Sequence, residues 1–236
     1  MSSTTPPPPK SFTTQILTKS DLLSQPTLNN ATISLINAAF STHKSRDPDA
    51  WDNTISRFPP SARPVDPGLA NVLGADGLCA IVCDAETGAV VASASVTRWP
   101  GFSAVKTDGA AEDAADGSAW LDWEVKCVAS LDQAEYRGQG VASRACAAVE
   151  EALRARMVGG GEGLRMWIMC NEERIGAYWR RRGYGDVLQM VPPVGAWGSR
   201  REFVVAILVK EKGGHVEVDK GRLREWLEGL FEVKGK

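Results

Sequence analysis

The chain has 236 residues, with 27 lysines and arginines against 29 aspartates and glutamates, a formal net charge of −2, and 43% hydrophobic residues. That length buries a substantial core as one large domain or two small ones. The small net charge gives no general affinity for nucleic acid or an anionic membrane surface, and no apolar run approaches the ~20 residues of a membrane span.

Residues 1–11 carry Ser, Thr and four prolines but no basic or apolar signal region, and read as a disordered tail. Residues 12–18 form a short β-branched strand. Residues 27–40 place Ile33, Leu35, Ile36, Ala39 and Phe40 near helical spacing, and residues 47–57 read as a second helix stopped by Pro59-Pro60. Two strands, 78–84 and 89–97, are joined by the turn signal Glu86-Thr87-Gly88. A Gly-, Ala- and Asp-rich stretch, 102–118, reads as a mobile loop, followed by a strand over 120–129.

Residues 140–157 carry an apolar stripe of Ala142, Ala145, Cys146, Val149, Ala152, Leu153 and Met157, an amphipathic helix stopped by Gly159-Gly160-Gly161. A strand over 164–170 leads to Asn171, a helix N-cap residue with Glu172 and Glu173 in the following turn. That helix ends near Gly183. Strands over 185–191 and 203–210 follow, and Asp219 caps a last helix with Leu223, Trp226, Leu227, Leu230 and Phe231 on one side. Hairpins and crossovers in one chain imply an α/β mixed sheet with helices on its faces.

The five cysteines, Cys79, Cys83, Cys127, Cys146 and Cys170, are an odd count at scattered spacings. They read as free thiols, mostly core fillers, in a reducing compartment: the cytoplasm, with the nucleus left open. The two histidines, His43 and His215, lie far from Cys79 and Cys83 in sequence, so no metal is expected.

The densest chemical signal is Arg137-Gly138-Gln139-Gly140-Val141-Ala142, between a strand and the amphipathic helix. Glycines let backbone approach a ligand, and a helix N-terminus offers unpaired N–H groups and a positive dipole end, which suits phosphate. A nucleoside-triphosphate loop needs Gly-Lys-Ser/Thr, absent here. A dinucleotide fingerprint nearly fits Gly138-x-Gly140-x-x-Ser143 but lacks a preceding βαβ unit. Arg137-x-x-Gly140-x-Ala142 fits an acetyl-CoA loop completely.

With these residues the chain resembles the GNAT family of acetyltransferases over about 12–210, and the segment 171–184, Asn…Ala-Tyr-Trp-Arg-Arg-Arg-Gly-Tyr, is similar to the family's second motif. The resemblance implies a mostly antiparallel, splayed central sheet with helices on both faces over 12–211, and a helical extension over 212–236. It implies acetyl-CoA as co-substrate, with the pyrophosphate on the backbone N–H groups of Gln139, Gly140, Val141 and Ala142. Arg137, Gly138 and Ser143 complete that loop, and Asn171 is implied as a further CoA-binding residue. Val128 and Ala129 would pair with the pantetheine arm, the Val128 N–H polarising the thioester carbonyl.

Transfer to an amine needs a base. Removing a proton from an amine of pKa about 10.4 at pH 7 costs about 4–5 kcal/mol. Glu124 lies thirteen positions before Arg137, a spacing similar to the catalytic glutamate of the family's histone-acetyltransferase branch. The other reading is a solvated strand face or an ion pair with Lys126. The proton donor to the departing thiolate is a tyrosine in the family, four positions before the glycine of the second motif. Here that position is Trp179, which cannot donate in this way. Tyr178 is adjacent, about 100° round the helix, where an apolar core residue would normally stand. One extra residue between Asn171 and the helix leaves room for a register shift that restores Tyr178 as the acid.

Arg180, Arg181 and Arg182 read as a solvated helix end or as phosphate contacts. Pro192, Pro193 and Trp197 line an acceptor pocket or form a stiff turn. Asp108, Glu112, Asp113 and Asp116 read as a solvated linker or as a device steering cationic amines. The expected acceptor is a small-molecule or peptide amine, and the last helix packs on the domain or makes a homodimer contact. The alternative is an acyl-CoA-binding regulatory protein with this fold and little turnover.

Overall fold

A computed structural model of the chain describes residues 10–60, 66–99, 121–156, 163–211 and 218–232. The expected mobile loop over 102–118, the glycine stop at 159–161, and most of the 1–11 tail lie outside these residues.

The elements are β1 (Phe12–Leu17), α1 (Lys19–Ser24), α2 (Pro26–Ser45), α3 (Gly68–Leu73), β2 (Leu78–Asp84), β3 (Val90–Arg98), β4 (Leu121–Ser130), α4 (Val141–Arg156), β5 (Leu164–Asn171), a π-helical turn (Glu172–Gly176), α5 (Ala177–Arg180), β6 (Gly185–Met190), β7 (Val205–Glu211) and α6 (Lys220–Glu232). The seven strands are hydrogen-bonded in the order β1-β2-β3-β4-β5-β7-β6. β4 and β5 run parallel, while the β1/β2, β2/β3, β5/β7 and β6/β7 pairs are antiparallel. The mixed α/β, mostly antiparallel sheet with a C-terminal helix is the expected architecture.

Two expectations change. The 47–57 segment is not helical. Asp47 instead accepts from Arg174 at 2.9 Å and Arg201 at 3.0 Å. Asp52 N–H donates to Gly198 O at 2.7 Å and Arg200 N–H to Ala50 O at 2.8 Å, around a Trp51–Ser199 bridge. Tertiary pairing thus outweighs local propensity. The short helices α1 and α3 were unforeseen. Thr18 and Asp21 form a capping box for α1, and Pro26 opens α2, where its missing N–H costs nothing.

The chain divides into two compact units. The first comprises the described residues of Met1–Arg46, Thr54–Val96 and Lys126–Leu153. Its core packs Leu22, Ile33 and Ile36 from the helices with Leu69, Cys79, Ile81, Cys127 and Ala129. β2 is buried along its whole length. The second comprises Asp47–Asn53, Thr97–Val125 and the described residues from Arg154 onward. There Leu223, Leu227 and Phe231 of α6 pack with Trp51, Trp99, Trp167, Phe203 and Ile207, so α6 belongs to the core of its own unit. Asp219 Oδ1 caps it, accepting from Gly221 and Arg222 N–H.

In the first unit Asp84, at the end of β2, is the buried polar hub. Its side chain is 1% exposed. It accepts from Lys10 Nζ at 2.8 Å and Tyr136 Oη at 3.0 Å, and from the N–H groups of Glu86 and Thr87 in the hairpin turn. Lys10 therefore belongs to the folded structure rather than to the tail. These hydrogen bonds, Lys10's first, hold the Asp84 carboxyl well below the usual carboxylate range against the opposing effect of burial. The reciprocal bond raises the Lys10 ammonium above its ordinary value.

Two predictions follow from this packing. A carboxylate with a depressed pKa stabilises the fold above its unfolded value of about 3.9 and loses that effect as pH falls. The raised lysine contributes fully below about 10.4 and fades only above it. In urea unfolding, the stability gap between wild type and Asp84→Asn will therefore be flat near neutrality and narrow below about pH 4. All five cysteines are buried and free, and burial pushes the Cys79 and Cys170 thiols up to about 12. Ellman's reagent will accordingly react slowly with the native protein and titrate all five thiols after denaturation.

Candidate functional site

The 137–142 loop lies in the first unit and has the backbone that its glycines foretold. Gly138 and Gly140 adopt φ of 74° and 70°. A Cβ at either would meet nothing within 4 Å, so conformation rather than space demands glycine there. Arg137 N–H donates to Gln133 O at 3.1 Å, and Gln139 N–H to Tyr136 O at 3.3 Å, closing the turn. Arg144 N–H donates to Gly140 O at 2.9 Å. The Val141 and Ala142 N–H groups precede that bond, at the start of a 16-residue helix. Ser143, in the same first turn, is half-buried. Arg137 is 63% exposed and bonds Asp132 through Nε at 2.8 Å, while Arg46 reaches the other oxygen of Asp132 at 2.6 Å. Arg137 chiefly, with Arg46, holds the Asp132 carboxyl below its ordinary value.

The C-terminal half of β4 leads into this loop. Cys127 is a buried non-glycine residue at φ 51°, and its carbonyl accepts from Ser93 Oγ at 3.0 Å. A left-handed residue inside a strand interrupts the pleat. Val128 is half-buried and Ala129 is 5% exposed, packed in the unit's core.

Glu124 lies in the second unit, where β4 pairs with β5 from Leu121↔Leu164 to Glu124↔Trp167. It is 3% exposed, which removes the solvated-face reading. Asp122, two residues earlier, accepts from Arg165 Nη2 at 2.5 Å and from Trp167 Nε1 at 2.6 Å. Arg165 is wholly buried, and Trp167 stacks on Trp99 with centroids 5.0 Å apart. This Asp122–Arg165–Trp167 group fixes the strand pair that carries Glu124. The sequence hinted at it only through an arginine inside an apolar run.

Asn171 caps the next turn, as its position foretold, with Oδ1 accepting from Arg174 N–H at 3.0 Å. The extra residue noted after it is taken up as the π-helical turn. Glu172 folds over Gly176 and takes a two-pronged bond from Arg180 at 2.8 and 2.9 Å, and Arg180 also holds Asp186. Arg180 is thus a structural clamp rather than a solvated cation. Trp179 is 2% exposed, with its ring edge-on to Tyr178 and Tyr184. Tyr178 is half-buried, with the Arg182 guanidinium 4.7 Å from its ring centre. The tryptophan, not the tyrosine, fills the core position.

Pro192 and Pro193 line a cavity of about 360 Å³ with Met190, Glu202, Arg224 and Phe231. Trp197 packs instead against Phe203 and Phe231. The acidic residues Asp108, Glu112, Asp113 and Asp116 fall outside the described residues. Sequence reasoning missed Lys10, Asp84, Asp132 and Tyr136 around the loop.

No protein-family model matches the chain, and no curated protein sequence does. Solved structures do resemble it. A putative acetyltransferase from Acinetobacter baylyi ADP1 superposes with a TM-score of 0.51 at 14% identity, over 93% of this chain and 100% of that one. Escherichia coli ElaA gives 0.50 at 12% identity, over 85% and 100%. An aminoglycoside 6'-acetyltransferase type Ii gives 0.50 at 10% identity, over 86% and 99%. With the mixed seven-stranded sheet and its element order, these likenesses show that the chain has the fold of the GNAT acetyltransferases.

Proposed function

We propose that the protein is an acetyl-CoA-dependent N-acetyltransferase that moves an acetyl group to a primary amine by direct attack in a ternary complex. The observation that carries this reading is the 137–142 loop. Two glycines in the left-handed region stand at the N-terminus of a long helix, after a strand whose pleat breaks at Cys127. The shared fold with acetyltransferases supports it.

In this reading the CoA pyrophosphate lies on the N–H groups of Gly140, Val141 and Ala142, with Gln139 closing the turn beneath. Arg137 and Ser143 add side-chain contacts, and Arg137 exchanges its Asp132 partner for phosphate. The pantetheine arm pairs with the backbone of Val128 and Ala129. The Val128 N–H, next to the pleat break, donates to the thioester oxygen as charge builds there. Asn171 serves by fixing the π-helical turn.

The chemistry balances without a covalent enzyme intermediate. The amine nitrogen attacks the thioester carbon, the C–N bond forms, and the C–S bond breaks. Glu124, directly or through a water molecule, takes the proton the amine loses. Tyr178 Oη gives a proton to the departing thiolate and is reprotonated from solvent. Glu124 is buried in the β4–β5 strand pair, away from bulk solvent. Tyr178 is half-buried as a residue, with its hydroxyl oxygen itself out of solvent, whereas Trp179 is packed in the core.

Acetyl-CoA binding by calorimetry, followed by thiol release with a panel of primary amines, tests the reading. Acceptor-dependent release supports it, CoA binding without release assigns the protein to regulatory acyl-CoA binding, and no binding overturns both. Glu124→Gln is expected to lower kcat by about 100-fold while leaving the Kd for acetyl-CoA within about twofold. Unaltered turnover would remove Glu124 from the mechanism. Tyr178→Phe is expected to lower kcat by about tenfold or more, with the loss confined to acceptors whose reaction is limited by thiolate departure. An undiminished rate across the panel would reject Tyr178 as the acid.

A further inference from the structure

Tyr136 immediately precedes Arg137, and its three polar groups are each engaged. Its N–H donates to Gln133 O at 3.0 Å, its carbonyl accepts from Gln139 N–H at 3.3 Å, and its hydroxyl donates to Asp84 Oδ2 at 3.0 Å. The side chain is 5% exposed. A ring with a buried hydroxyl on a buried carboxylate has little freedom, and neither has the carbonyl on the same residue. The turn that contains Gly138 is therefore tied to the end of β2, 52 residues away in sequence.

The N-terminal edge of the unit tightens the same point. Lys10 Nζ sits 4.8 Å from the Tyr136 ring centre while it pairs with Asp84 Oδ2 and, at 3.5 Å, with Glu135. Phe12 packs its ring 6.3 Å from that of Tyr136. Arg144, in the first turn of α4, donates from Nη1 to Phe12 O at 2.8 Å. Both ends of the glycine turn, Tyr136 before it and Arg144 after it, are thus held by β1 and β2.

We infer that Tyr136 is a positioning residue for phosphate recognition. Its bond to Asp84 sets the orientation of the 138–142 amides before any ligand arrives. The inference rests on the reading of this loop as the CoA pyrophosphate grip. Oriented amides cost nothing to arrange at binding, whereas a glycine-containing turn without an anchor must be ordered by the ligand. The effect is specific to the phosphate end of the ligand, because Tyr136 fixes amides that no other part of the ligand meets.

The experiment measures Kd for CoA by calorimetry and for pantetheine, which lacks the phosphates, by NMR titration, in wild type and Tyr136→Phe. The expected result is a rise of about tenfold in Kd for CoA with Kd for pantetheine within about twofold. Equal weakening of both would assign Tyr136 a merely structural role, and no change in either would remove it from recognition altogether; both overturn the inference. A wild-type protein that binds CoA no more tightly than pantetheine would instead overturn the pyrophosphate reading itself. Lys10→Met, at a partly exposed edge position, supplies a second variant should Tyr136→Phe fold poorly. It should raise Kd for CoA by about threefold and leave pantetheine unmoved, and any other pattern counts against the inference.

Discussion

The rest of the structure around β4 depends on one interruption of its pleat, at Cys127. A buried residue with a Cβ at φ 51° stands about 1–2 kcal/mol above its ordinary conformation. It persists because its surroundings fix it from two sides. Ser93 Oγ holds its carbonyl, and its side chain is packed in a core with Ile81, Cys83 and Ala129. Before the break, β4 is committed to its ladder with β5. After it, Leu131 N–H donates to Val91 O at 2.9 Å, and the chain then enters the glycine loop.

Asp84 plays the corresponding part for polar groups. Burying a carboxylate is costly unless each lone pair finds a donor. Four donors from three places in the chain meet that demand: Lys10 ahead of β1, the hairpin turn and the residue before the loop. Because the charge cannot be left unpaired, these segments are held together far more firmly than exposed ion pairs would hold them. The exposed group in which Arg46, at the end of α2, and Arg137 share Asp132 is of the weaker kind.

What the sequence made legible was local. The stripe of α4, the caps at Asn171 and Asp219, the Gly88 turn, and the left-handed glycines of the loop each follow from a few adjacent residues. What it hid was distant. Asp47 is drawn out of a helical pattern by arginines 127 and 154 positions away, and Asp122 is matched to Arg165 and Trp167 across more than 40. Helix α1 is a different case. Its Thr18–Asp21 capping box is a local signal, but six residues directly after a strand carry too little periodicity to stand out.

The Tyr178–Trp179 pair shows why residue counting alone could not tell which of the two packs in the core. Counting presumes regular turns, and a π-helical turn breaks that presumption by adding a residue, which changes the facing of whatever follows by about 100°. That is also the angle between adjacent helical side chains, so a one-residue difference interchanges two neighbours. Burial decides between them. The larger, less polar indole occupies the core between Tyr178 and Tyr184, and the phenol is left at the half-buried position. The clamp of Glu172 and Arg180 over Gly176 holds the turn in that register. A side chain at Gly176 would collide with the clamp, so the glycine and the ion pair act as one device for setting which aromatic residue faces inward.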